Sequence, residues 1–365
     1  MAEHLFLTGG TGFIGSRLLR LWLERTEARI TLLARPRSGR NNSEWLAALL
    51  DTMANESREA LERRVHFVQG DLVAPHLGMD PKKRASVCGD VTHIVHAGAE
   101  LRFYMPLHRA RRTNTAGTVA VLELARQCPR LACFNYVGTA YVAGRNSGII
   151  WEDARPNGVQ HNNSYERSKY EAEILVREAM AELPVTVLRP SIVTCDLETG
   201  YTPSDSAFYR LLRGVANGSL EVLPGREDNL LDMVPLDYIA EAVFSISRRS
   251  DLAGSCFHLS AGIDNRVSLG TLRDLACSHF GRRSLEILPP DEFLLWMEKA
   301  RKAAPRKKAF LKELELYIPY LSHHPVLDNT NTRSALERTG QRAPAVAEYF
   351  SRTAAYVNDT LGTAS

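Results

Sequence analysis

Leu5-Phe-Leu-Thr-Gly-Gly-Thr-Gly-Phe-Ile-Gly15 joins two kinds of secondary structure through a glycine turn. Leu5, Phe6 and Leu7 follow a charged start and read as a short buried strand. Gly9, Gly12 and Gly15 then recur at every third position. From Ser16 to Glu24 the pattern turns helical, with Leu18, Leu19, Leu21, Trp22 and Leu23 apolar. Strand, glycine turn and helix form the context that a dinucleotide-binding fingerprint requires. Each glycine has its own task there. Gly9 takes backbone angles closed to other residues. Gly12 leaves room for a pyrophosphate, and Gly15 lets the helix pack against the strand. The helix N-terminus then offers free N–H groups and a partial positive charge to phosphates. An ordinary strand-to-helix turn with unrelated glycines gives the same short pattern, so the fingerprint needs support from the rest of the chain.

The chain has 365 residues, enough for one large α/β domain with an appended lobe. Its net charge of +3 is too small to argue for nucleic acid as a partner. The six cysteines, Cys88, Cys128, Cys133, Cys195, Cys256 and Cys277, show neither a Cys-x-x-Cys pair nor zinc-ligand spacing. No metal site and no disulfide framework are expected; reduced thiols and a cytoplasmic location are. The first strand starts close to the first residue, and no signal peptide is expected. No apolar run approaches the ~20 residues of a membrane span.

Ile30 to Ala34 reads as the second strand, ending at Arg35, with Arg37 and Arg40 in the loop behind it. A fold that binds NAD usually places an acidic residue about 20 positions past the glycines, on the ribose 2′-hydroxyl. Here that place holds Arg35, and the next carboxylate after it is Glu44. An arginine suits a 2′-phosphate, which makes NADPH the expected cofactor. A solvated basic loop is the plainer alternative. Ser43 to Asn55 and Ser57 to Arg64 read as helix, and Val65 to Gln69 as the third strand, with Gly70, Asp71 and Leu72 at its end. Val91 to Val95 is the fourth, running into His96, Ala97, Gly98 and Ala99, small residues that allow close backbone approach to a cofactor. Arg109 to Gln127 is a helix interrupted near Asn114 and Gly117. Leu131 to Val137 is the fifth strand, with Gly138, Thr139 and Tyr141 at its end. Ser164 to Met180 is helix, and Val185 to Leu188 a sixth strand running into Arg189 and Pro190. Strands alternating with helices mean right-handed βαβ units and a doubly wound parallel sheet. Ligands in such sheets bind beyond the C-terminal strand ends, where all these glycine, threonine and proline features fall.

From Cys195 the rhythm changes. Asp205 to Gly218, Pro235 to Arg248, Ser268 to Phe280 and Asp291 to Tyr317 read as helices, the last broken at Pro305. Phe257 to Ser260 reads as a late strand returning to the sheet. The expected organisation is an α/β dinucleotide-binding core at 1–194, to which 229–262 return, and a smaller, mostly helical substrate lobe at 195–228 and 263–365. Lys299, Arg301, Lys302, Arg306, Lys307 and Lys308 form a basic cluster that reads either as a solvated helix face or as a docking surface for an anion.

Tyr165-Glu-Arg-Ser-Lys169 places a tyrosine and a lysine on one face of a helix. A phenol with pKa ~10 is a poor acid at neutral pH. A neighbouring ammonium lowers that pKa, which lets Tyr165 give a proton to a carbonyl oxygen as hydride reaches its carbon. Lys169 can also hold ribose hydroxyls and relay protons. Thr139 can hydrogen-bond the same oxygen. A routine exposed helix pair is the alternative, and the fingerprint and Thr139 in their expected strand order weigh against it.

With these residues in place, the chain resembles an extended short-chain dehydrogenase/reductase, and more narrowly its thioester reductase-like branch. That branch holds the terminal reductase domains of carboxylic acid reductases and nonribosomal peptide synthetases, and the fatty acyl-CoA reductase, or male-sterility, domains. The resemblance rests on Thr8 to Gly15, Leu33-Ala-Arg35, Gly70-Asp-Leu72, Asn114-Thr-Ala-Gly-Thr118, Thr139-Ala-Tyr-Val-Ala-Gly144, Tyr165 to Lys169, Leu188-Arg-Pro-Ser-Ile-Val193 and Asp232-Met-Val-Pro235. It implies a Rossmann fold and a catalytic triad of Thr139, Tyr165 and Lys169. It implies a cofactor site at Gly9, Thr11, Gly12, Phe13, Ile14, Gly15, Arg35, Arg40, Asp71, Leu72, Ala97, Gly98, Ala99, Asn114, Tyr165, Lys169, Pro190, Ser191 and Ile192. It implies NADPH-dependent reduction of an acyl thioester, on CoA or a carrier protein, to an aldehyde, which a second hydride could take to the alcohol. Gly138 stands where the branch usually has serine, and Cys195 where it usually has glycine; both are expected on the substrate side. The rivals are a ketoreductase, epimerase or dehydratase acting on a free small molecule, and a non-catalytic NADP(H)-sensing scaffold. A sensor needs neither Tyr165 nor Lys169.

Overall fold

The computed structural model describes residues 2–35, 42–50, 62–155, 157–203, 206–303, 308–322 and 325–362. The helical reading of 51–61, the break at Pro305, and Arg37, Arg40, Arg306 and Lys307 lie outside the described residues. One parallel sheet is built from β1 (His4–Thr8), β2 (Arg29–Ala34), β3 (Val65–Gln69), β4 (His93–His96), β5 (Cys133–Val137), β6 (Val185–Pro190) and β7 (Cys256–Leu259). Across the sheet they run β3-β2-β1-β4-β5-β6-β7. β1 pairs with β2 on one side and β4 on the other, so the strand order reverses beside it. That reversal opens a crevice at the C-terminal end of β1, where the glycine turn lies.

Strands buried on both faces are mainly apolar, and β1 is fully buried, with His4 bonded to Thr31 and Thr8 to His96. Leu5 and Leu7 pack into the core on one face, and Phe6 into the core on the other, as the period of two demands. Helices Phe13–Arg25 and Leu236–Ser247 supply the first core, around Trp22, which meets Phe244 and His93 edge-on. Helices Pro81–Asp90, Gly117–Ala125 and Ser164–Glu178 cover the opposite face. The sheet is thus wound on both sides. The interruption expected near Asn114 is a π turn, Arg112–Ala116, between helices Leu107–Arg111 and Gly117–Ala125. Such a turn is costly unless side chains exploit it, and Asn114 does, as described below.

A second apolar core stands off the sheet and includes Phe208, Leu212, Met233, Phe293, Leu314 and Tyr349. Helices Ala207–Ala216, Leu269–His279, Pro290–Ala303, Lys308–Glu315 and Val346–Gly362 contribute to it. The C-terminal stretch also reaches back to the first core through Leu336 and Ala343. The short strand Val326–Leu327 pairs with Ile149–Ile150.

Candidate active site

Gly9 has φ +71°, and a Cβ there would lie 2.7 Å from the carbonyl carbon of Ala97. Both facts reserve the position for glycine. A Cβ on Gly15 would overlap the Gly9 carbonyl, so the close approach of helix to turn also depends on glycine. Gly12 precedes the helix Phe13–Arg25 in an extended conformation; no side chain caps that helix and no acid sits in its first turn. The leading N–H groups are left for an anion. Thr11, Phe13 and Ile14 are half-exposed around them.

Opposite this turn lie Asp71, Leu72, Ala97, Gly98 and Ala99, all half-exposed. Gly98 is held by its N–H, which donates to Thr8 Oγ1 at 3.1 Å. A Cβ on it would approach Leu72 Cδ1 to 2.9 Å. Behind this rim His96 Nδ1 meets Thr8 Oγ1 at 2.7 Å and Nε2 meets Thr118 Oγ1 at 3.0 Å, while the Thr118 hydroxyl donates to the Asn114 carbonyl. Burial, helped by the Lys169 charge, pushes His96 down to about 3. The ring is neutral at physiological pH, accepting from Thr8 at Nδ1 and donating to Thr118 at Nε2. With exposed Arg35 at the end of β2, these residues fit a dinucleotide: an uncapped helix end, a rim without bulky side chains, and a cation beyond it.

Tyr165 and Lys169 share a face of the helix Ser164–Glu178, which Asn163 caps by accepting the Glu166 N–H. Lys169 is 2% exposed. Its Nζ donates to the Val137 carbonyl at 2.9 Å and lies 4.2 Å from the centre of the Tyr136 ring. Thr139, just past β5, lies near enough to Tyr165 for its hydroxyl to favour the phenolate. The fold therefore brings Thr139, Tyr165 and Lys169 together at the C-terminal end of β5. Their acidities differ from the sequence expectation. Burial pushes Tyr165 up to about 12, against a lowering contribution from Thr139, and pushes Lys169 down to about 7, against a raising one from Glu173. The expected depression of the phenol by the ammonium is not what the structure gives, because desolvation penalises both charged forms.

The sequence profile of the NAD-binding family described as Male sterility protein matches residues 7–243. The chain belongs to the male sterility protein family. The terminal R domain from the myxalamid PKS-NRPS biosynthetic pathway superposes on it with a TM-score of 0.83 and 30% identity, over 98% of this chain and 90% of that one. Among curated relatives, fatty acyl-CoA reductase wat of Drosophila melanogaster is 27% identical over 280 residues, 67% of this chain and 53% of the fly protein. Nonribosomal peptide synthetase asaC of Aspergillus flavus is 27% identical over 360 residues, 92% of this chain and 34% of the synthetase. The chain thus spans less than two thirds of these curated relatives' length.

Within this male sterility fold, some residues named from sequence have other partners. Asn114 is 1% exposed. Its Nδ2 donates to Ser168 Oγ at 2.9 Å and to the Glu100 carbonyl at 3.0 Å, and its Oδ1 accepts the Glu100 N–H at 2.7 Å. Both amide hydrogens are used inside the protein, so Asn114 ties the loop after β4 to the Tyr165 helix. Pro190 and Ser191 are buried at the end of β6, and Ile192 is half-exposed. Gly138 N–H donates to the Leu188 carbonyl at 2.7 Å; a Cβ there would lie 3.2 Å from Tyr136 Cε1. Cys195 is not on a substrate face: it is 0% exposed inside the second core, and burial pushes its thiol up to about 11.

Sequence reasoning missed the support beneath the site. Glu173, one turn past Lys169, pairs with Arg189 in a two-pronged contact at 2.6 and 3.0 Å. Arg189 also meets His258 Nε2 at 3.0 Å. In the basic cluster, Arg301 pairs with Glu315 at 2.7 Å, and Lys299 and Lys302 are exposed. No helix among the described residues is long and apolar enough to cross a membrane.

Proposed function

We propose that this chain is an NADPH-dependent reductase of an acyl thioester, carried on CoA or a carrier protein, that forms an aldehyde, which a second hydride could take to the alcohol. The observation that carries the reading is the meeting of Thr139, Tyr165 and Lys169 beside the glycine rim. A relative named as a fatty acyl-CoA reductase and a terminal R domain of a PKS-NRPS pathway support the substrate class.

Gly9, Thr11 to Gly15, Asp71, Leu72, Ala97 to Ala99 and Pro190 to Ile192 would hold the dinucleotide, with Arg35 near the 2′-phosphate. A nicotinamide bound there supplies the hydride for the thioester carbon. Tyr165 gives its proton to the carbonyl oxygen as that oxygen gains charge. A phenol near 12 keeps its proton at neutral pH, and an alkoxide is a stronger base than phenolate, so the transfer runs downhill. Thr139 orients the phenol and the oxygen through its hydroxyl. Lys169, the stronger acid at about 7, stands one turn behind as the proton source. The resulting hemithioacetal then collapses to aldehyde and thiol.

Tyr165→Phe tests this directly. It keeps the ring and removes the acid, which typically contributes ~10²–10⁴-fold. Turnover should fall by that factor with little change in NADPH affinity; a variant of near-normal rate would remove Tyr165 as the proton donor.

A further inference from the structure

One group of side chains gathers at the start of the Tyr165 helix and has no part in holding a dinucleotide. At its centre is Tyr320, on the short helix Ile318–Ser322, 154 positions along the chain from its partner Glu166. The Tyr320 hydroxyl donates to Glu166 Oε1 and accepts from Asn163 Nδ2, the latter at 2.7 Å. Asn163 is the helix cap, and its Oδ1 accepts the Glu166 N–H at 3.0 Å. Glu166 is 0% exposed and takes two further bonds, from the Asn162 N–H at 2.8 Å and Asn162 Nδ2 at 3.3 Å. The Tyr320 ring works on the other side of Tyr165. It stacks on Phe103 at 5.1 Å and 20°, and Phe103 lies 5.9 Å from the Tyr165 ring. It also meets Tyr141 edge-on at 4.9 Å, two residues beyond Thr139.

Tyr320 therefore touches the residues that flank Tyr165 in the chain, the ring that faces it, and the turn that follows Thr139. A buried carboxylate satisfied by hydroxyl and amide donors rather than by a bonded cation is an expensive way to hold a helix end. Asparagine alone already caps the helix. The added network constrains orientation, which is what proton transfer within hydrogen-bond reach needs.

We propose that Tyr320 is a positioning residue for Tyr165, through which the C-terminal segment sets the first helical turn and the tilt of the phenol ring. The inference rests on the reading that Tyr165 gives the proton. Tyr320→Phe keeps the ring contacts and removes the hydroxyl, leaving Glu166 short of one donor. In single-turnover assays with octanoyl-CoA and, in parallel, octanal, the rate constant should fall about tenfold, while the KM of each substrate stays within about twofold. The decisive comparison repeats the substitution in a Tyr165→Phe background. There the group being positioned is gone, and Tyr320→Phe should change the rate less than about twofold. Equal proportional losses in the two backgrounds, or no loss in either, would overturn the proposal. Should Tyr320→Phe not fold, Phe103→Leu on the half-exposed loop carries the same test, with a several-fold loss that vanishes in the Tyr165→Phe background. A wild type that turns over octanal but not octanoyl-CoA removes the thioester reading and leaves this comparison intact on octanal. A Tyr165→Phe protein as fast as wild type removes both.

Discussion

Glu173→Gln should cost this protein about 3–5 kcal/mol of stability, the range for breaking a buried ion pair from one side. The Glu173 side chain is 3% exposed and that of Arg189 is 0% exposed. Arg189 donates from Nε to Oε2 at 3.0 Å and from Nη2 to Oε1 at 2.6 Å, and Arg177 adds a bond to Oε1 at 2.8 Å. Glutamine keeps the shape, but it turns an amide NH₂ toward a guanidinium N–H and leaves a fully buried cation without its paired carboxylate. Urea unfolding followed by circular dichroism reads the loss by linear extrapolation. With ~2.1 cal/mol/K of unfolding entropy per residue over 365 residues, the melting temperature should drop by about 4–6 °C. The pH dependence fixes the sign. Burial works against the Glu173 charge, but Arg189 and then Arg177 outweigh it, and the carboxyl stays below its ordinary 4.5. An acid depressed in this way stabilises above its unfolded pKa, and that stability is lost as pH falls through the folded value. The gap between wild type and variant is thus complete above 4.5 and closes toward acid. A loss under about 1 kcal/mol, the scale of an exposed pair, or a gap that widens on acidification, would refute the reasoning.

Arg35→Ala should weaken NADPH much more than NADH, because a charge-assisted bond to phosphate is worth ~1.5–3 kcal/mol; fluorescence titrations that show equal weakening would take Arg35 off the 2′-phosphate. Turnover should fall as pH rises through about 7, where Lys169 gives up its proton, and a rate that climbs through that range would make the neutral amine the working form. Reversing the charges of Lys299 and Lys302 should raise the KM of a CoA- or carrier-bound thioester in a salt-sensitive way, given a Debye length of ~8 Å at physiological ionic strength. Reduction of a free aldehyde by that variant should stay unchanged, and a thioester KM equal to that of the wild type would make the cluster an ordinary solvated face.

The sheet was legible because strands buried on both faces are mainly apolar runs, and each from Leu5-Phe-Leu onward is bounded by glycine, proline or a helix. Gly9 and Gly15 were legible because their backbone geometry admits nothing larger. Tyr165 and Lys169 were legible from their spacing on one helix face. What lay hidden depends on contacts between distant segments. Glu173 carried no signal in the sequence; only the fold brings Arg189 onto it and takes Lys169, Glu173 and Arg189 out of water. Tyr320 carries no local signal for a contact with Glu166 across 154 positions. Proximity of Lys169 to Tyr165 could be inferred from spacing, but the depth of burial could not, and burial decides both acidities. Asn114 matched a cofactor motif, yet the π turn aims its amide at Ser168 and Glu100.

The central claim is that a thioester is reduced and its thiol released. The purified chain, given NADPH and octanoyl-CoA, should release free CoA thiol as it consumes cofactor. One NADPH per thiol is expected where the product is octanal, and two where it is octanol, with both thiol release and cofactor consumption suppressed in Tyr165→Phe. Reduction of free ketones with no thiol released from any CoA or carrier thioester would contradict the claim and put a ketoreductase in its place.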